Sequence, residues 1–133
     1  MRIEHQTGLD GHSDADVLTH AVIDAILGAA ALGTIGEHFP ESDQRYQGVA
    51  SLELLAATQA MITAAGRRVV NVDSVVIAEA PRLQGHLATM ARNLALTLGV
   101  DEEFVAVKAT SPEGIGTLGR REAIAAQAVA LLD

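Results

Sequence analysis

The sequence predicts an α+β fold, a mixed β-sheet with helices on one face. Length is the first observation: 133 residues, 49% of them apolar, make one domain that buries roughly two-thirds of its unfolded surface. The second is periodicity. Helical stripes and β-branched runs follow in the order helix, helix, strand, helix, strand, with a last apolar segment that fits either. The third is the absence of any repeat, low-complexity tract or linker, so the elements share one core. The sheet face that the helices leave bare then needs an oligomeric partner.

Ser13 followed by Asp16 has the form of a capping box, and Asp14 and Asp16 put negative charge in a first helical turn. A helix is expected from about Asp14 to about Ala31, with Val17, Leu18, Ala21, Val22 and Ala25 at helical spacing and Gly33 and Gly36 as its stop. Residues 33–48, with Pro40, several glycines and mixed charges, read as a long irregular loop, a kind of segment that is often functional. Ser51 is expected to cap a second helix bearing Leu52, Leu55, Gln59 and Ile62, ended by Gly66.

Residues 68–78 hold Val69, Val70, Val72, Val75, Val76 and Ile77 and read as a buried strand. After Pro81 a third helix shows Leu87, Met90, Ala91, Leu94 and Leu98 as a stripe, with Gly99 just past its end. Residues 104–110 alternate as a strand, and residues 111–119 form a glycine-rich loop containing Pro112. In the tail the periods conflict: Ile124, Ala126, Ala128 and Ala130 fit a strand, whereas Ile124, Ala128 and Val129 fit a helix. Ile124, Val129 and Leu132 are assigned to core or subunit contacts.

Composition excludes several function classes. With 17 acidic against 9 basic residues the formal charge is −8, which repels nucleic-acid backbones and anionic membrane surfaces. Aromatic content of 2% without tryptophan removes the stacking platforms of single-strand binders. Cysteine is absent, so there is no disulfide, thiolate nucleophile or cysteine zinc site, and any metal must be held by His, Asp or Glu. No apolar run approaches the roughly 20 residues of a membrane span, and residues 1–11 do not resemble a signal or transit peptide. A cytoplasmic protein is expected.

On the first helix Asp16, His20 and Asp24 fall at i, i+4 and i+8, a polar stripe on an otherwise apolar helix. An imidazole flanked by carboxylates suits a metal, because a carboxylate can orient the second ring nitrogen; a solvated face with pair interactions is the plainer alternative. His12 could point into the same space. The loop from Ser111 to Gly119, followed by Arg120 and Arg121, joins hydroxyls, backbone amides and guanidiniums as phosphate oxygens require. Glu113 there would help only through a bridging divalent cation, and a plain connector is the alternative. The run Ala78-Glu79-Ala80-Pro81-Arg82 at a strand end could lie against a flat ligand or simply turn into the next helix.

Together these segments resemble one family. Gly11-His12-Ser13-Asp14-Ala15-Asp16-Val17 with His20-Ala21 is similar to the central motif of the 2-C-methyl-D-erythritol 2,4-cyclodiphosphate synthases, the cyclases of the non-mevalonate isoprenoid pathway. Asp24-Ala25 with residues 27–33, Ile35-Gly36, Phe39-Pro40 and Asp43 resembles the family's next block. Asn71-Val72-Asp73 and residues 78–83 resemble its nucleotide-pocket segment. Lys108-Ala109-Thr110 through Glu113, Gly116, Gly119-Arg120 and Glu122 resembles its closing motif. These segments match in order along essentially the whole chain.

The resemblance implies a homotrimer with active sites between subunits and the sheets packed around the trimer axis. It implies conversion of 4-diphosphocytidyl-2-C-methyl-D-erythritol 2-phosphate to the cyclic diphosphate with release of CMP, through in-line attack of the 2-phosphate on the β-phosphorus. Catalysis would be mainly alignment and charge neutralisation. By position, His20 resembles a zinc ligand and Glu113 the ligand of a magnesium or manganese ion on the diphosphate. His12, Ser13 and Asp16 resemble the wall near the erythritol phosphate, and Asp24 lies close to the ribose or supports the site. Thr110, Ser111 and Arg120 would hold phosphate oxygens. Ala78, Pro81, Arg82 and Leu83 would frame cytosine, with Arg82 in place of the usual lysine. Thr34 stands where many members carry a ribose-contacting aspartate, and Pro112 where a threonine is usual.

The family's usual first strand, with two zinc ligands in a Gly-aromatic-Asp-Val-His segment, has no counterpart in residues 1–133. The resemblance therefore implies a single, N-terminally shortened domain with an incomplete zinc site, an exposed sheet edge and weak trimer formation. A downstream start site, a trimmed chain or a member without zinc would each give this pattern. A non-catalytic trimer that keeps the cytidine and phosphate pocket is the rival reading, and a metal-dependent phosphohydrolase a third.

Overall fold

The computed structural model describes residues 11–46, 48–78, 84–120 and 124–133, with side chains of the first helix from residue 15 onward. That helix, α1, spans Gly11–Ala29. Leu18, Val22, Ile23, Ile26 and Leu27 recur on its inner face and are at most 1% exposed, each contributing about 1.5–3 kcal/mol by leaving water. The helix already includes Gly11, so Ser13 lies inside its first turn and is not its cap. It also ends earlier than Gly33 suggests. The Ala31 N–H donates to the Gly28 carbonyl and the Leu32 N–H to the Leu27 carbonyl, at 3.0 and 2.8 Å. This Schellman closure puts Ala31 at φ 57°, where glycine is usual.

Residues 33–48 are not irregular throughout. A short helix α2 spans Ile35–His38, begun by Thr34, whose side chain accepts from the Glu37 N–H, and a 3-10 turn spans Gln44–Tyr46. Helix α3 spans Ser51–Ala64, with Leu55, Thr58 and Ile62 buried. Its N-cap is Ala50, without a side-chain bond, so the cap expected of Ser51 is not made. The α3 terminus repeats the closure of α1 with Gly66 at φ 78°.

The β-strands are β1, Val69–Ile77, β2, Val105–Thr110, and β3, Ala125–Leu132, in the order β2-β1-β3. β1 runs parallel to β2, with Ile77 beside Thr110, and antiparallel to β3, with Ile77 beside Ala125. The sheet is mixed, as expected. The tail is a strand because its small residues alternate: Ala126, Ala128, Ala130 and Leu132 pack on the core, whereas Gln127, Val129 and Leu131 are exposed. β1 is buried on one face only, since Val72, Ser74 and Val76 are enclosed while Asn71 and Asp73 are exposed. Phe104 belongs to a 3-10 turn, Glu102–Phe104, ahead of β2.

Helix α4, Leu87–Leu98, follows the expected stripe, with Met90, Leu94 and Leu98 buried and Gly99 left-handed at its end. Helices α1 and α4 cover one sheet face, and α3 packs against both of them. The other carries Lys108 paired to Asp73 at 2.9 Å, with Val129 72% and Leu131 55% exposed nearby. Val129 is thus no part of the core, whereas Ile124 and Leu132 pack against it. Among the described residues, no helix is long and apolar enough to cross a membrane.

Candidate active site

The parallel strands β1 and β2 finish side by side, and the Ala78 N–H extends their ladder by donating to the Thr110 carbonyl at 3.1 Å. Ligand crevices in α/β sheets form beyond the carboxyl ends of parallel strands. Here two of the sequence-matched segments leave the sheet together. Pro81, Arg82 and Leu83, which continue from Ala78, lie outside the described residues.

After β2 the chain turns sharply. The Ser111 hydroxyl accepts from the Glu113 N–H at 3.0 Å, and the Ile115 N–H donates to the Pro112 carbonyl at 3.2 Å. Glu113 and Gly114 between them have φ of 58° and 72°, the double positive φ of a type I′ turn. A non-glycine residue there is uncommon and costs about 1 kcal/mol or more. The result is an exposed Glu113 carboxylate on a tight loop. The last part of this segment is not loop but one helical turn, α5, Gly116–Gly119. It packs closely: a Cβ on Gly119 would lie 2.6 Å from the Gly114 carbonyl oxygen. Arg120 follows, exposed, with its guanidinium donating to the Thr117 hydroxyl at 3.4 Å.

The polar stripe of α1 is present as spaced. His20 is exposed, and the carboxylates a turn before and after it are anchored. Asp24 accepts from the Ile35 N–H at 2.7 Å, so it holds the start of α2. Asp16 accepts from the Ser51 hydroxyl at 2.6 Å. Beside that bond lies a cavity of about 150 Å³ between α1, α3 and α4, reached by Met90 and Asn93. The side chains of His12 and Ser13 are outside the described set.

Between α2 and α3, Phe39 meets Tyr46 edge to face at 5.2 Å, and the Arg45 guanidinium lies 5.2 Å from the Tyr46 ring centre. The side chain and backbone N–H of Arg45 both donate to Asp43. The side-chain bond, then the backbone bond, hold the Asp43 carboxyl below the usual aspartate value. His38 reaches back to the Leu32 carbonyl at 2.6 Å. These contacts order the segment that joins the anchors of Asp24 and Asp16.

Among the described residues no three His, Asp or Glu side chains are gathered as a metal site, so Asp16, His20, Asp24 and Glu113 do not form one. A zinc site needs three protein ligands, and these residues do not fit it. Magnesium and manganese ask less of the protein: one or two carboxylates complete a shell that substrate phosphates mostly fill. The exposed Glu113 fits that demand. Ser51 was read from the sequence only as a helix cap; its partner is 35 residues away, and no local signal reports such a bond.

The chain matches the YgbB family over residues 1–133. It is 57% identical to the 2-C-methyl-D-erythritol 2,4-cyclodiphosphate synthase of Desulfosudis oleivorans, across 99% of this chain and 79% of that protein. To the synthase of the same name from Synechocystis sp. it is 53% identical, across 99% of this chain and 82% of that one. Among solved structures, the bifunctional IspDF from Campylobacter jejuni superposes with a TM-score of 0.82 at 39% identity, covering 87% of this chain and 31% of that one. The CDP complex of IspF from Plasmodium falciparum gives 0.74 at 28%, covering 87% and 69%. With a family match along its whole length and a relative at 57% identity, the chain belongs to the YgbB family of cyclodiphosphate synthases.

Proposed function

We propose that the site described above is that of a cyclase converting 4-diphosphocytidyl-2-C-methyl-D-erythritol 2-phosphate to 2-C-methyl-D-erythritol 2,4-cyclodiphosphate with release of CMP, in isoprenoid precursor biosynthesis. The family membership supports the activity. The geometric observation that carries the site is the shared ending of β1 and β2, which starts the segment matched to the nucleotide pocket beside the loop matched to the phosphates.

In the reaction an oxygen of the 2-phosphate bonds to the β-phosphorus as the bond from that phosphorus to the CMP oxygen breaks. The nucleophile is already an anion and the leaving group a phosphate, so no proton need move and no water is consumed. The protein's work is alignment and charge neutralisation. Ala78, with Pro81, Arg82 and Leu83, frames the cytosine. Thr110, Ser111 and Arg120 orient phosphate oxygens, and Glu113 would hold a magnesium or manganese ion, which when bound neutralises charge on the diphosphate. His12, Ser13 and Asp16 wall the erythritol phosphate, and Asp24 supports the site by holding α2. His20 is exposed on α1 between Asp16 and Asp24, a single imidazole where a zinc site needs three protein ligands. The 133 residues act as one domain.

A homotrimer, with its active sites between subunits, would cover the open sheet face that carries Val129 and Leu131. The cysteine-free sequence suits a cytoplasmic setting. The test is to incubate the chain with the diphosphocytidyl substrate and magnesium and follow products by phosphorus NMR. CMP and cyclic diphosphate in equal amounts are expected. Orthophosphate would indicate a hydrolase, and CDP binding without CMP release a non-catalytic pocket; either overturns the reading.

A further inference from the structure

We infer that Ser51 is a positioning residue for the reaction, holding the Asp16 carboxylate in its working orientation; this rests on the cyclase reading. Ser51 opens α3, where a serine would be expected to serve the helix, yet Ala50 is the cap and the Ser51 hydroxyl turns away to Asp16. The oxygen–oxygen distance of 2.6 Å is that of a hydroxyl donating to a charged carboxylate, roughly twice as strong as a neutral bond. Ser51 is only 8% exposed.

The bond joins parts of the molecule far apart in sequence. Asp16 lies one turn before His20 and two before Asp24 on α1. Asp24 is held by the Ile35 N–H and Asp16 by Ser51, so the two ends of the segment from α2 to α3 grip the stripe on either side of the exposed His20. Ser51 is the grip at the reacting end. The cavity of about 150 Å³ lined by Asp16, Ser51, Asn93 and Met90 leaves room beside the carboxylate for its orientation to shift when the Ser51 bond is lost. An alignment-driven displacement is sensitive to such a shift, since about 1 Å of misplacement can cost on the order of 100-fold.

The cavity also supplies the control. Its volume accepts the extra methyl of Ser51→Thr, which keeps the donor, whereas Ser51→Ala removes it and Ser51→Cys fills the space with a weak one. For Ser51→Ala and Ser51→Cys, kcat for CMP release should fall about tenfold or more with KM and CDP affinity unchanged. Ser51→Thr should recover most of the rate, and Ser51→Ala should add nothing to an Asp16→Asn background. Undiminished kcat in both donor-poor variants would overturn the inference, as would a Ser51→Thr variant as slow as Ser51→Ala or additive losses with Asp16→Asn. If Ser51→Ala fails to fold, the Cys and Thr pair decides. An unmutated chain that releases no CMP takes the cyclase reading and this inference down together, whereas turnover that ignores Ser51 removes only the inference.

Discussion

Replacing Gly119 by alanine would test how tightly the Glu113 loop must close. The added Cβ would meet only backbone: it would press on the carbonyl carbon of Gly114 and lie 2.6 Å from its oxygen and 2.7 Å from its Cα. Ordinary contact begins near 3.4 Å, so relieving the contact with the oxygen alone takes about 0.8 Å, and the nearer carbonyl carbon makes the two strands of the loop part by more than that, with no flexible side chain to absorb it. Glu113 precedes Gly114 and Arg120 follows Gly119, so the displacement passes directly to both proposed ligand-holding groups. A shift approaching 1 Å at a positioning residue costs on the order of 100-fold in rate. Because the loop is largely exposed and the core lies elsewhere, the unfolding free energy should change by no more than about 1 kcal/mol. The assay pairs steady-state CMP release with urea unfolding at fixed protein concentration. Full activity in Gly119→Ala would refute the reasoning, as would a loss of stability large enough to explain the lost rate.

Other substitutions probe single physical features. Ala31 occupies a left-handed position at the end of α1, so Ala31→Gly should stabilise the fold by about 0.5–1 kcal/mol, read as a raised urea midpoint with unchanged slope. The Gln59 side-chain oxygen is buried without a hydrogen-bond partner; Gln59→Leu should gain about 1 kcal/mol, and a lower melting temperature would show that the amide is satisfied after all. Asp43 is held below its usual value by Arg45. This pairing is present above the ordinary aspartate range and is lost as pH falls through the lowered folded-state value. Arg45→Ala should raise the Asp43 midpoint, measured by carbon NMR of its carboxyl, and an unmoved midpoint would contradict the pairing. The exposed Val129 and Leu131 beside the Lys108–Asp73 pair predict that Val129→Asp weakens self-association in sedimentation, while a monomeric unmutated chain would exclude the proposed trimer.

What the sequence determined by itself was whatever depends on neighbours in the chain. The stripe of α4 and its glycine stop followed from a 3.6-residue period and from the ease with which Gly99 turns left-handed. The valine run of β1 followed from side chains that suit a pleated surface. The site segments were legible because their residue order matches a family, down to Glu113 in the loop after β2.

Tertiary structure decided whatever depends on a partner elsewhere. The tail, ambiguous while its alanines were counted alone, became a strand because β1 offers it a ladder and α1 a surface for Ala126, Ala128 and Ala130. Ser13 and Ser51 look alike as caps in the sequence, yet α1 begins before the first and Ala50 caps the helix opened by the second. A serine at a helix start has several bonds within reach, and only packing brings the Asp16 carboxylate to 2.6 Å and settles which is made. Ala31 turns left-handed where the chain closes α1 and returns to place the Ile35 N–H on Asp24, and the residue found there bears the backbone cost.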